Sequence, residues 1–211
     1  MKVVVTRARA QAGELADRLR ALGHEIELCP LVDVEPLGDA PIDVGGYDWV
    51  VVTSVNGARE LRRRLRGRPR RVAAIGWATA EAFGRVDLVP RVSTQEGLLA
   101  ELPRPAGRVL LAAAEGARRL LVDQLGADFV PLYRTVELRP PRPPRGDLVV
   151  LASASAARAY GRAGGTLPAV SIGPQTTAAA RAGGVRVVAE AETHDLDGLV
   201  AAVAAAAATA Q

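Results

Sequence analysis

Cysteine, histidine, lysine and aromatic residues are all scarce in this chain of 211 residues. Cys29 is the only cysteine, which excludes an intrachain disulfide and is typical of a reducing compartment, so we expect a cytoplasmic protein. The two histidines, His24 and His194, have no metal-ligand spacing around them, and no metal site is predicted. Aromatic residues make up only 3%, so the core must consist of Val, Leu, Ile and Ala.

Long apolar runs and the familiar catalytic motifs are missing as well. No apolar run free of charge reaches the 18 residues or so that a membrane span needs, and none is expected. The short apolar run at the start is closed by Arg7 and Arg9, which does not fit a signal peptide. The chain contains no GxGxxG fingerprint, P-loop or GxSxG elbow, and no convincing pair of catalytic carboxylates. Any chemistry therefore uses few ionisable groups.

Positive charge is present, but it is carried almost entirely by arginine. Lys2 is the only lysine among 27 basic residues, and the net charge is +4. Arginines cluster in 62-RRRLRGRPRR-71 and 139-RPPRPPR-145, without interleaved aromatic residues or a nucleic-acid motif, so no nucleic-acid partner is expected. A polyanionic ligand and an ordinary solvated basic surface are both compatible with this charge.

Short β-branched runs alternate with helical patterns along the whole chain, which predicts an α/β fold. Most of the runs are continuously apolar, as in parallel strands that helices cover on both faces. The predicted strands are 2–6, 25–29, 48–53, 71–75, 108–112, 128–132, 147–152, 168–172 and 185–189. The predicted helices are 10–22, 56–65, 77–84, 117–125, 155–163, 175–182 and 195–207.

The sequence repeats itself once. The stretch 47-YDWVVVTSVNGAREL-61 is similar to 147-DLVVLASASAARAY-160, and 75-IGWATAEA-82 is similar to 172-IGPQTTAA-179. Two tandem copies of one α/β unit, about 1–105 and 106–211, predict two similar lobes.

Proline-rich passages predict linkers at about 34–46 and 132–146, inside each copy rather than between the copies. Each lobe could then combine the beginning of one copy with the end of the other. One lobe per copy is the simpler alternative, and composition does not decide between them.

Small polar residues follow the repeated strands at the points where helices begin. Because helix N-termini at the carboxyl edge of a parallel sheet favour anions, we interpret these clusters as an anion-binding cradle. Ordinary helix capping by Ser, Thr and Asn is the structural alternative. The clusters comprise Thr53, Ser54, Asn56, Thr79, Ser153, Ser155, Gly173, Pro174 and Thr176.

The repeat points to Tyr133 as a candidate for chemistry. Aligning 30-PLVDVE-35 with 131-PLYRTVE-137 places Tyr133 opposite the apolar Val32, at the start of a linker. The phenol either packs its ring against the hinge or faces the cleft between the lobes. Glu35 recurs as Glu137, which favours a structural role for both.

The motifs, taken in order, resemble the uroporphyrinogen-III synthase family over nearly the whole chain. They are V-T-R near the start, TSxNG after a DWVVV strand, IGxxTA, 94-TQEGL-98, 132-LYRT-135 and 172-IGPQT-176. The resemblance implies an α/β fold of two similar lobes, each a parallel sheet flanked by helices, joined by a two-stranded linker. Lobe one would comprise 1–35 plus 138–211, and lobe two 38–133, so that the two repeated stretches face one cleft from different lobes.

The resemblance also implies a function. The family closes hydroxymethylbilane, a linear tetrapyrrole with eight carboxylates, into uroporphyrinogen III, with loss of water and inversion of the last pyrrole ring. This lyase reaction of tetrapyrrole and heme biosynthesis uses no cofactor. It implies a cytoplasmic monomer with no nucleic-acid or membrane partner, in at most transient contact with the upstream bilane-forming enzyme. A non-catalytic two-lobed anion-binding or sensor protein is the alternative.

The residue roles that the resemblance implies are those of a proton donor and of binding groups. Tyr133 would be the catalytic acid that protonates the leaving hydroxyl. The missing Thr at 152, where this chain has Ala152, puts a side-chain role there in doubt. The implied substrate-binding residues are Arg7, Thr53, Ser54, Asn56, Thr79, Ser153, Ser155, Gly173, Pro174 and Thr176, and no metal ligand is implied.

Overall fold

The structure is a computed structural model that describes residues 1–140, 142 and 144–209. Parts of the second predicted linker, at 141 and 143, and the last two residues of predicted lobe one lie outside the described residues. The chain divides into two compact units. Unit 1 comprises Met1–Asp33 and the chain from Val136 onward, and unit 2 comprises Val34–Thr135.

Unit 1 is built on a five-stranded sheet in the order β12-β11-β10-β1-β2, in which every neighbouring pair is parallel. Strand β10 of the second repeat therefore lies directly beside β1 of the first. Its strands are β1 (Lys2–Val5), β2 (Glu25–Leu28), β10 (Leu148–Leu151), β11 (Ala169–Ser171) and β12 (Val187–Glu190).

Helices cover both faces of this sheet. They are α1 (Arg9–Ala21), α6 (Ala154–Arg162), α7 (Pro174–Ala182) and α8 (Leu196–Thr209). Buried residues of α1 and α8 pack on one face, with Val3 and Val5, while those of α6 and α7 pack on the other, with Val4. The strands are apolar throughout because both of their faces are covered.

Unit 2 is built on a second sheet, in the order β3-β9-β8-β5-β7. The chain crosses between the units twice, after Asp33 and after Thr135, inside β3 and β9 respectively. The strands are β3 (Val32–Pro36), β5 (Trp49–Val52), β7 (Val72–Ala74), β8 (Val109–Ala114) and β9 (Asp128–Glu137), with a separate short pair formed by β4 (Ile42–Asp43) and β6 (Leu65–Arg66).

The helices of unit 2 also cover both faces of its sheet. They are α2 (Val55–Arg64), α3 (Trp77–Phe83), α4 (Gln95–Glu101) and α5 (Leu120–Leu125). Residues of α2 and α3 pack on one face, with Val50 and Val52, and those of α4 and α5 pack on the other, with Val51.

The predicted fold class is confirmed: helices flank both main sheets, and their strands are parallel except for β3. Strand β3 pairs antiparallel with β9, since the Leu37 N–H donates to the Leu132 carbonyl and the Leu138 N–H to the Leu31 carbonyl. All nine predicted strands are present, eight of them within two residues of their predicted ends. Strand β9 continues to Glu137, five residues beyond its predicted end and into the predicted linker 132–146. Helix α4 and strands β3, β4 and β6 were not predicted, and α5 begins at Leu120 rather than at residue 117. In the part of the chain that the structure describes, no helix is long and apolar enough to cross a membrane.

Two glycines of unit 1 allow a matched test of its core. A Cβ on Gly165 would lie 2.2 Å from the Tyr160 ring, whereas a Cβ on Gly13, inside α1, meets no atom within 4 Å. We expect Gly165→Ala to lower the free energy of unfolding by about 1–3 kcal/mol, because Tyr160 is fully buried and cannot move aside. Gly13→Ala should raise it by about 0.5–1 kcal/mol, because alanine favours the helix. Urea unfolding of both variants measures the two effects, and equal stability of the two would contradict the packing described.

Candidate functional site

Polar groups of unit 2 meet at the carboxyl ends of β5 and β8. Ser54 follows β5 and caps α2, accepting a hydrogen bond from the Gly57 N–H at 3.0 Å. The Ser54 hydroxyl also lies 2.9 Å from the phenolic oxygen of Tyr133, and either group can donate. Thr53 and Asn56, on either side of the cap, are half-buried. The structure thus brings Tyr133 to two of the residues that the sequence predicted for binding, Ser54 and Asn56.

A bulge in β9 directs Tyr133 to this position. Pro131 pairs with Ala113, but Tyr133 pairs with Ala114, so one extra residue is inserted opposite β8. Without the bulge, Leu132 and Tyr133 would point to opposite faces of the sheet. Here both belong to the cluster of buried side chains under α2 and α3. The bulge is therefore what places the phenol next to the cap of α2.

The environment of Tyr133 keeps its phenol protonated. The side chain is only 7% exposed, and burial raises its pKa above the ordinary value near 10. Hydrogen bonds with Ser54 and Asn56 act in the opposite direction, because they stabilise the phenolate. The ring packs in the core of unit 2, while its hydroxyl is hydrogen-bonded to Ser54 at the edge of the sheet.

The end of the neighbouring strand β7 contributes a different set of residues to unit 2. Gly76 precedes α3 and is extended, and Thr79 is buried in the first turn of that helix. Between them lies Trp77, whose side chain is 78% exposed. Trp77 was not predicted from the sequence as a site residue. The repeat could have indicated it, because the matching position in the other copy is Pro174, which is not aromatic.

In unit 1, the equivalent edge is formed by the ends of β1, β10 and β11. Ser153 caps α6 with nearly the same backbone angles as Ser54, and its hydroxyl lies 3.0 Å from that of Ser155. Ser153 also accepts a hydrogen bond from the Ala156 N–H at 3.2 Å. Arg7 follows β1 and is half-buried, next to Thr6, whose hydroxyl donates to the Val150 carbonyl.

The Gly173-Pro174 turn lies at the end of β11. Pro174 occupies the first turn of α7, and Thr176 is only 3% exposed. A Cβ on Gly173 would come within 2.7 Å of the His194 ring, so only glycine fits against this histidine. Thr176 and its repeat partner Thr79 are both buried.

A series of hydrogen-bonded side chains next to the Gly173-Pro174 turn was not predicted from the sequence. The hydroxyl of Ser171 lies 2.5 Å from that of Thr177, which donates to the carboxylate of Glu190. Ser171 is fully buried and Thr177 nearly so. These residues come from β11, α7 and β12, so their hydrogen bonds fix the start of α7 relative to the two strands. No local pattern in the sequence relates Glu190 to Thr177.

The repeated glutamates take part in ion pairs with arginines, consistent with structural roles. Glu35 pairs with Arg134, whose Nε lies 2.9 Å from the carboxylate, and Glu137 pairs with Arg162, with a contact of 3.0 Å. Both pairs are partly exposed and contribute little individually to stability. In the described residues, no group of three or more His, Cys, Asp or Glu side chains could hold a metal ion.

Comparison with known proteins gives a family for this chain. The family model described as uroporphyrinogen-III synthase HemD matches residues 13–201. A putative uroporphyrinogen-III synthase of Methanocaldococcus jannaschii is 28% identical over 65% of this chain and 63% of its own length. The uroporphyrinogen-III synthase of Synechococcus elongatus is 26% identical over 95% of this chain and 93% of its own.

A solved structure supports the fold independently. A mutant uroporphyrinogen III synthase of Thermus thermophilus superposes with a TM-score of 0.64 at 18% identity, covering 99% of both chains. At 18% identity, this structural similarity supports the fold alone.

Ser54 and Ser153 form a matched pair for testing the site, because each caps a helix in the same way. Replacing either with alanine should lower the free energy of unfolding by about 1 kcal/mol, through loss of the cap. Only Ser54→Ala should also raise the pKa of Tyr133, because the lost hydrogen bond stabilised its phenolate. Ultraviolet titration of tyrosine, with Tyr133→Phe to assign the signal, measures this shift. An unchanged pKa in Ser54→Ala would contradict the contact.

Proposed function

Because the chain belongs to the uroporphyrinogen-III synthase family, we propose that it converts hydroxymethylbilane into uroporphyrinogen III in tetrapyrrole biosynthesis. The family match over residues 13–201 carries this proposal, and it favours catalysis over a non-catalytic anion sensor. The buried Tyr133–Ser54 pair supplies the one proton donor that the reaction requires.

Tyr133 is proposed as the acid that starts the reaction. Ser54 already accepts the Gly57 N–H, so its own proton is available for the phenolic oxygen. With Ser54 donating, the phenolic proton can pass to the hydroxyl of the substrate, which leaves as water. A raised pKa keeps the proton on Tyr133 at neutral pH, and the bond from Ser54 stabilises the phenolate that remains. Ring closure later releases a proton from a pyrrole carbon, which restores the phenol.

The carboxylates of the substrate are proposed to bind at the strand-to-helix turns. In unit 2 these turns are capped by Ser54, and in unit 1 by Ser153, with Arg7 on the adjacent strand end. Backbone N–H groups at helix starts and a guanidinium both favour carboxylates. The pyrroles supply the reactivity, so the protein needs mainly to hold the chain and exclude water.

We further propose that the protein acts as a monomer in the cytoplasm and meets the upstream bilane-forming enzyme only transiently. The single cysteine supports a reducing compartment. Gel filtration with light scattering tests the oligomeric state.

Tyr133→Phe tests the proposed acid. General acids contribute about 10²–10⁴-fold to the rate, and we expect a loss at the lower end because solvent can also protonate the hydroxyl. The product should still be isomer III, since ring inversion depends on how the bilane is held. Enzymatically generated hydroxymethylbilane and separation of the uroporphyrin isomers measure both quantities. Tyr47→Phe, which removes an exposed phenol bonded to Asp128, is the control, and full activity of Tyr133→Phe would exclude the acid role.

Thr176→Val tests positioning rather than proton transfer. The substitution keeps the shape of a buried side chain but removes its hydroxyl from the turn before α7. We expect weaker holding of the substrate, so released intermediate closes spontaneously and the share of isomer I rises. Thr166→Val, at an exposed position of unit 1, is the control. An unchanged isomer ratio at reduced rate would assign Thr176 to chemistry instead.

A further inference from the structure

Trp77 differs from every other aromatic residue in its exposure. The chain has seven aromatic side chains, and Trp77 is the only one among the large exposed hydrophobic residues. Trp49, Phe83, Tyr133 and Tyr160 are buried, with at most 9% exposure. Leaving an indole in water forfeits on the order of 2 kcal/mol of burial free energy, so its position invites a functional explanation.

The open face of Trp77 is unusual in a chain so rich in arginine. Three other rings already carry a guanidinium: Arg71 lies over Trp49, Arg108 over Tyr47 and Arg119 over Phe129, at 4.1–4.5 Å from the ring centres. Among the described residues, no cation lies over the indole of Trp77. Trp77 thus presents an exposed indole, the type of ring that binds cations best, with no cation from these residues over it.

Local structure does not require a tryptophan at this position. Trp77 is the first residue of α3, and the repeat places Pro174 at the matching start of α7. The first helical position accepts many residues, and the indole packs little surface there. Neither the helix nor the core of unit 2 therefore explains the choice.

The place of Trp77 relates it to the proposed chemistry. Strand β7, which leads to Trp77, pairs in parallel with β5, which leads to Ser54, and Ser54 contacts Tyr133. Neighbouring strands lie about 5 Å apart, so the helix starts that hold Trp77 and Ser54 follow adjacent strand ends at one edge of unit 2. A flat ring bound beside these two helix starts would reach both Trp77 and Ser54, the hydrogen-bond partner of Tyr133.

We propose that Trp77 binds the cation that forms when the substrate loses its hydroxyl. The C–O bond breaks, its electron pair leaves with the oxygen, and the proton from Tyr133 completes a water molecule. The pyrrole nitrogen supplies the electrons of a new exocyclic C=C bond, so that the ring becomes a delocalised azafulvenium cation. The π-face of the indole attracts this flat cation more strongly than the neutral ring before it, which lowers the barrier. This inference rests on the proposed function.

A substitution series at Trp77 tests the contact through the rate. We expect kcat to fall about 3–30-fold in Trp77→Leu with little change in KM, because the cation exists only during the reaction. The kcat of Trp77→Tyr and that of Trp77→Phe should lie between the values for the wild type and Trp77→Leu, in the order in which the rings bind cations. Leu22→Ala is the control, because it removes another exposed apolar side chain, at the C-terminal end of α1. Its kcat should equal that of the wild type. Full activity of Trp77→Leu, or an effect on KM alone, would overturn the proposal.

Fluorescence supplies a readout that is independent of turnover. The chain has two tryptophans, and Trp49 is buried, so Trp49→Phe leaves Trp77 as the only emitter. Uroporphyrinogen III, kept reduced, should quench this emission as it binds, and calorimetry confirms that it is bound. Bound product without any change in emission would overturn the contact. If the wild-type protein forms no isomer III at all, the proposed function itself fails, which the isomer assay shows separately.

Discussion

Parallel pairing of strands is the constraint on which both candidate sites depend. All five strands of the unit 1 sheet run in one direction, and so do β9, β8, β5 and β7 of unit 2, so the strand-to-helix turns emerge at the carboxyl edge. Residues far apart in the chain, such as Arg7 and Ser153, are thereby brought to neighbouring strand ends. Helix starts expose unpaired N–H groups at the same edge, and Ser54 and Ser153 cap two of them.

One inserted residue, the bulge in β9, decides to which face of the sheet Tyr133 points. Regular pairing of β9 with β8 would direct Leu132 and Tyr133 to opposite faces of the sheet. Because of the bulge, both side chains pack in the core under α2 and α3. The phenol then meets Ser54, which satisfies its hydroxyl in a buried position where an unpaired group would be destabilising.

The two units differ where the repeat is least faithful. Ser54 and Ser153 cap their helices alike, and Thr79 and Thr176 are buried alike, so these pairs maintain the shared architecture. Tyr133 and Trp77 have no aromatic counterpart at the matching positions of unit 1, which hold Val32 and Pro174. Both residues lie in unit 2, although Tyr133 belongs to the second copy of the repeat and Trp77 to the first.

The sequence alone was sufficient for the α/β class, the repeat, nine strands and most helices, because apolar runs and helix starts are local signals. It missed α4, a seven-residue helix that contains Gly97, because glycine is a poor helix former. It also could not relate Glu190 to Thr177, detect the bulge that turns Tyr133 toward Ser54, or distinguish the open indole of Trp77 from the covered ring of Trp49. These features depend on strand register and on contacts between distant residues, which only the folded chain brings together.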